Sequence, residues 1–208
     1  MDYKQIIDIS LPLNDKTVIY PGTSPLSIKS SESLATKSVL STITLSSHTA
    51  THIDAPKHAD LANPAIDSIP LSNFIGKVRV VDFSDCKETI STSDIEKIKP
   101  LKHERLLFKT TNSSRGFENF YSDFVYLSSD AAMYLANANI NLVGIDSWSI
   151  KKKGSTDNTS HTAFLKKGIP IVEGLNLKEA DEGTYFLIVL PLRFTGLDGS
   201  PARAVLLR

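Results

Sequence analysis

The sequence predicts an α/β domain with a mixed β-sheet core and flanking helices. Three observations carry that expectation. Short β-branched and aromatic runs of strand length recur along the chain, helix-like segments with capping residues alternate with them, and 208 residues without an internal repeat or a linker-like tract suit one domain spanning 1–208.

The predicted strands are residues 6–9, 39–45, 78–83, 106–109, 142–145, 169–172 and 185–190, each dominated by Ile, Val, Leu, Phe or Tyr. Thr92, Ser93 and Asp94 open a helix through 95–98. Ser128, Ser129 and Asp130 open a second through 131–136. Thr159 and Ser160 precede a third, over 163–167, and Gly168 supplies its stop. In the stretch 39–47, Val39, Ile43 and Leu45 share one parity against Leu40, Thr42, Thr44 and Ser46. The odd face is therefore expected to be buried, and the even face, which His48 continues, is expected to open toward a cleft.

Composition excludes several classes. The chain has 23 basic and 23 acidic residues, so a nucleic-acid partner lacks its basic footprint, and weak self-repulsion permits oligomers. Cys86 is the only cysteine. It precludes an intramolecular disulfide or a thiolate zinc site and reads as an inert thiol. No stretch approaches the roughly 18 apolar residues of a membrane span, and the N-terminus lacks a secretory pattern, so a cytoplasmic protein is expected.

Of five histidines, His48, His52 and His58 fall in the eleven residues HTATHIDAPKH, with Asp54 among them. Random placement would put about 0.26 histidines in such a window. Imidazole nitrogen and carboxylate oxygen suit Zn²⁺ and its neighbours, so the cluster reads as a divalent-metal site. Ten extended steps would span roughly 33 Å, and Pro56 with three β-branched residues opposes a helix, so a strand end, loop and turn must make the donors converge. His103 reads as a surface residue. Lys151–Lys153 and Lys166–Lys167 read as solvated faces, and Asp146 as a turn or cap residue.

HTATHIDAPKH resembles the HxGTHxDxPxH motif of the cyclase family of metal-dependent hydrolases, which includes bacterial kynurenine formamidase. The resemblance continues through DISLPL (8–13), Tyr20-Pro21-Gly22, VGIDSWSI (143–150), His161 with IPIVEGLNL (169–177), and PLRFTGLDGSPARAVLL (191–207). It implies a layered β/β/α fold. It implies that His48, His52 and Asp54 bind a first metal, that His161 and Glu173 complete the ligand set, and that Asp54 and Glu173 can bridge two ions. It further implies that His58 is the catalytic proton donor and acceptor, and that Tyr20, where kynurenine formamidase carries Trp, contacts substrate. Ala50 stands where the family motif has Gly; a positive φ there would strain Ala.

The expected cofactor is one or two divalent ions, Zn²⁺ by ligand type, with Mn²⁺ accepting the same donors. The expected activity is hydrolysis of a small amide, with N-formyl-L-kynurenine of tryptophan catabolism the leading substrate. Another small cyclic or aromatic amide is the alternative, and a non-catalytic, metal-stabilised binding protein is the alternative of another class. The resemblance also implies a homodimer or homotetramer that takes a small-molecule substrate.

Overall fold

The computed structural model describes residues 3–208. In chain order its strands and helices are β1 (Ile6–Asp8), β2 (Ser27–Glu32), β3 (Val39–Thr44), β4 (His52–Asp54), β5 (Ile75–Asp82), β6 (Thr89–Ile90), α1 (Thr92–Ile98), β7 (Arg105–Lys109), α2 (Thr111–Arg115), β8 (Tyr126–Leu127), α3 (Ser129–Asn137), β9 (Leu142–Ile145), α4 (Thr159–Leu165), β10 (Ile171–Glu173), β11 (Gly183–Pro191) and β12 (Gly199–Leu207).

Eight strands form one mixed sheet in the order β1-β12-β11-β5-β7-β9-β10-β4, and a further β4–β12 pairing closes it on itself. The pairs β5–β7, β7–β9 and β9–β10 are parallel; the other pairs in this sheet are antiparallel. Closure gives β4 a partner on both sides and so removes an edge that an open sheet would expose. Ile53, Val80, Leu107, Val172, Leu187, Val189 and Leu206 are buried in one core cluster of the sheet. Alternate residues of the same strands, Val81, Leu106, Phe108, Val143, Ile145 and Ile171, pack with Ile95 of α1, Ala131, Ala132 and Leu135 of α3, and Phe164 and Leu165 of α4. The period-2 alternation thus serves an inner core and a helical layer at once, the β/β/α layering expected.

The predicted central strands and three helices are present, the strand at 142–145 with its expected ends and the others with shifted ends. Ser91, one residue before the expected caps, caps α1 in a capping box with Asp94. Ser128 caps α3 by accepting from the Ala131 amide. The strand expected at 169–172 is displaced to Ile171–Glu173, because the α4 turn and Pro170 occupy its start.

The one-sided burial expected of 39–47 is overturned. β3 pairs only with β2, in a separate two-stranded sheet, and all six of its residues are exposed. Among the described residues no layer covers either face, so its alternation does not correspond to an inside and an outside. β12, broken in sequence by Gly199, Pro201 and Arg203, was not anticipated as a strand, yet it closes the sheet.

No helix among the described residues is long and apolar enough to cross a membrane. At the centre of β9, a Cβ on Gly144 would meet Leu107 Cδ2 at 2.5 Å and Leu175 Cδ1 at 2.9 Å. Gly144→Ala should therefore overpack the interior and destabilise the protein by about 1–3 kcal/mol, seen as a lower denaturation midpoint in urea.

Candidate metal centre

β4 lies between β10 and β12, with His52 opposite Glu173 on one side and Pro201 on the other. Two-residue alternation puts His52 and Asp54 on one face of β4 and sends Ile53 into the core cluster. Glu173 lies on the same face of β10. The helix α4 packs over that face and brings His161 to Glu173, Nε2 to Oε1 3.2 Å. His48 arrives from the turn before β4, and His58 from the single 3₁₀ turn Pro56–His58 after it. HTATHIDAPKH therefore contains, besides the loop and turn expected, a separate short strand, β4, in its middle.

The donors form two groups that share Asp54, one of His48, Asp54 and His58 and one of His52, Asp54 and Glu173. Asp54 Oδ1 lies 2.8 Å from His48 Nδ1 and 3.4 Å from His52 Nε2, and His52 Nε2 lies 3.5 Å from Glu173 Oε2. Asp54 Oδ2 lies 3.6 Å from His161 Nε2. Ligand atoms held about 2.0–2.1 Å from a tetrahedral centre stand roughly 3.3 Å apart, so these separations fit a metal's coordination shell. Asp54 has no exposed surface, and its Oδ2 has no hydrogen-bond partner among the described residues. An ionised, buried, unpartnered oxygen calls for a cation. The residues present thus fit a divalent metal.

The surroundings fix these donors. His52 Nδ1 donates to the Ala50 carbonyl at 2.8 Å, which leaves Nε2 for the cluster. Ala50 has φ 55°, so the position does require the left-handed region, and Ala holds it at a cost of about 1–2 kcal/mol. A Cβ on Gly174, φ 67°, would sit 2.3 Å from that same carbonyl. The Ile150 amide donates to Glu173 Oε1 at 2.6 Å, and Ser149 Oγ donates to it at 3.3 Å. Asp146 accepts from the amides of Thr110 and Ser113 and from Thr110 Oγ1. It is a cap across strands, and burial pushes its pKa up to about 6.

The electrostatics follow from crowding opposite charges in a dry site. Burial opposes protonation of His48 and His52, but the carboxylates outweigh it, raising His48 to about 9 through Asp54 and Asp198, and His52 to about 10 through Asp54 and Glu173. Burial and Asp54 oppose ionisation of Glu173, yet His161 and His52 hold it at about 2. Without metal, protons supply the positive charge. His58 behaves differently. Burial of its inner edge lowers its pKa, and nearby His48 and His161 add to that against Asp54, so it is neutral at pH 7. Its ring lies 4.2 Å from that of His48 and 5.5 Å from that of His161.

A cavity of about 260 Å³ opens onto the donors and is lined by Tyr20, Thr23, Trp148, Lys151 and Asn158 besides the site histidines and Glu173. Tyr20 packs edge-on against Phe120 at 5.4 Å, and Phe120 lies 5.9 Å from Trp148. Lys151 is thus a cavity residue and not part of a solvated face. A larger groove of about 850 Å³ beyond Trp148 contains none of the clustered donors. His103 is exposed, as expected.

The residues expected at the site, His48, His52, Asp54, His58, His161, Glu173 and Tyr20, lie together at this one place. Asp198 was missed. It accepts from His48 Nε2 at 2.8 Å, but it lies 140 residues or more from the histidine motif, in a Gly-flanked turn that any Asp could occupy.

The Cyclase family model matches residues 7–152. The chain is 35% identical over 205 residues to the kynurenine formamidase of Salinibacter ruber (strain DSM 13855 / M31), covering 97% of this chain and 96% of that protein. The chain belongs to the cyclase family. The kynurenine formamidase of Bacillus mycoides (strain KBAB4), a further relative, is 36% identical over 209 residues, covering 99% of each. Among solved structures, one described as a potential metal-dependent hydrolase with cyclase activity superposes with TM-score 0.88 at 30% identity, covering 98% of each chain. An isatin hydrolase with a bound product analogue shares the family fold, with TM-score 0.85 at 19% identity over 98% of this chain and 92% of that one.

Metal must displace the protons on His48 and His52, so affinity falls as pH falls. The apparent Kd for Zn²⁺ should drop at least about tenfold per unit from pH 6 to pH 8 in competition with a chromophoric chelator, and Asp54→Ala should abolish tight binding throughout.

Proposed function

We propose that the protein hydrolyses a small amide at this centre, with N-formyl-L-kynurenine as substrate and formate and L-kynurenine as products. The observation that carries this reading is the open cavity beside the donor cluster. A structural site would be closed, whereas here His58 and an aromatic wall face a space of about 260 Å³, suited to a small aromatic molecule. The two relatives above, both named kynurenine formamidase and matched over nearly their whole length, support the substrate.

His48, His52, Asp54, His161 and Glu173 would hold one or two divalent ions, with Zn²⁺ preferred by donor type. When bound, the metal would lower the pKa of water toward 7 and polarise the scissile carbonyl. His58, neutral and at the cavity, takes the proton of the attacking water and passes it to the leaving nitrogen. Tyr20 and Trp148 pack against the aromatic ring of the substrate. Lys151 supplies positive charge for a carboxylate.

Metal-loaded protein assayed against N-formyl-L-kynurenine and a panel of cyclic amides should hydrolyse the former fastest. Faster turnover of a ring amide would move the assignment to that substrate, and inactivity on all of them would favour a non-catalytic binding role. His58→Ala should retain metal while losing about 10²–10⁴-fold in turnover. Near wild-type rates would remove the acid/base role.

For assembly we propose a homodimer or homotetramer in which another copy covers the β2–β3 hairpin. Leu34, Val39, Leu40 and Ile43 are 87%, 66%, 71% and 56% exposed there, on a two-stranded sheet that is marginal alone. Light scattering should give a dimer or larger, with Leu40→Lys shifted toward monomer; a monomeric wild type at micromolar concentration would contradict this.

A further inference from the structure

We infer that Asp198 is a positioning residue that locks the His48 ring with Nδ1 toward the metal, so that the two histidines of the H-x-x-x-H pair ligate through opposite nitrogens. This rests on the reading of the cluster as a metal centre.

Asp198 ends the turn between β11 and β12, one residue before β12 pairs with β4. Its carbonyl accepts from the Ala55 amide at 2.9 Å, and Oδ1 accepts from Ser47 Oγ at 2.9 Å, so both its backbone and its carboxylate are tied to the histidine segment. Oδ2 then accepts from His48 Nε2 at 2.8 Å. On the other side of that ring, Nδ1 lies 2.8 Å from Asp54 Oδ1. The lone-pair directions of the two imidazole nitrogens diverge, so an ion bound beside Asp54 is reached by Nδ1 alone. Asp198, half-buried on the Nε2 side, is not a ligand to it. The neighbouring residue makes room: a Cβ on Gly199 would meet His48 Cε1 at 3.1 Å and the Ile53 carbonyl at 2.7 Å.

His52 shows the reverse arrangement, with Nδ1 spent on the Ala50 carbonyl and Nε2 toward Asp54 and Glu173. His58 Nδ1 lies 3.7 Å from Asp198 Oδ2, beyond hydrogen-bond distance, so His48 is the residue that Asp198 holds. A carboxylate on the distal N–H of a ligating histidine fixes its tautomer and raises its basicity, and losing such a partner typically weakens metal binding about 10–100-fold.

Two measurements on the full chain test this. In long-range ¹H–¹⁵N spectra of the Zn²⁺-loaded wild type, His48 should show metal-bound Nδ1 and protonated Nε2, with the opposite pattern for His52. Metal on Nε2 of His48 would overturn the assignment without a variant being made. In chelator competition, Asp198→Ala should bind Zn²⁺ about 10–100-fold more weakly, and Asp198→Glu should recover part of that loss. Wild-type affinity in Asp198→Ala would overturn the positioning role while leaving the metal centre standing, whereas failure of the wild type to bind Zn²⁺ would remove both.

Discussion

Asp54 is the constraint around which the rest of the site is arranged. A carboxylate without exposed surface cannot stay ionised unless positive charge stands against it, since burying an unpaired ion is penalised by several kcal/mol. His48 and His52 meet one of its oxygens; among the described residues the other has only His161, at 3.6 Å, and no hydrogen bond. Protons can satisfy this arrangement in part, which is why His48 and His52 hold theirs to about 9 and 10. A divalent cation satisfies it more completely, because it presents charge to both oxygens without needing a hydrogen-bond angle.

The fold supplies the geometry through sheet closure. β4 is three residues long and could not be held by one neighbour. It is held by two, β10 carrying Glu173 and β12 with Asp198 at its head. The β4–β10 pairing thus aligns His52 with Glu173, and the β4–β12 pairing that closes the barrel brings an orienting carboxylate to His48. The helical layer, needed to cover the outer face of the sheet, delivers His161 across the same strands. Stability and site geometry draw on the same contacts.

The legibility of each feature follows from how local its cause is. β9 at Leu142–Ile145 was readable to the residue because a fully buried strand is a continuous apolar run. HTATHIDAPKH was readable as a donor cluster because its residues are close in sequence, whereas His161 and Glu173 were assigned from the resemblance and not from their own neighbours. β12 was not readable, because Gly199 and Pro201 are there for its pairing with β4 and for the approach of the His48 ring, and both lower strand propensity. The parity of β3 misled because alternation reports a buried face only when something covers the sheet, and among the described residues of one chain nothing does. Asp198 was silent because its meaning lies wholly in a contact with a residue 150 positions away.

The four histidines at the centre differ because their second nitrogens differ. His52 and His48 each have one nitrogen committed to an acceptor outside the cluster, a carbonyl for one and a carboxylate for the other. Each ring is thereby fixed in rotation and in tautomer, with its other nitrogen left for the cluster. His58 has no such commitment; its nearest carboxylate is too far for a hydrogen bond, and its pKa is lowered, not raised. A ring that is neutral, unanchored and open to the cavity can gain and lose a proton at little cost. That contrast separates the proposed acid/base from His48 and His52 on physical grounds; His161, whose buried Nδ1 has no hydrogen-bond partner among the described residues, is set apart from His58 by its Nε2 lying 3.2 Å from Glu173 Oε1.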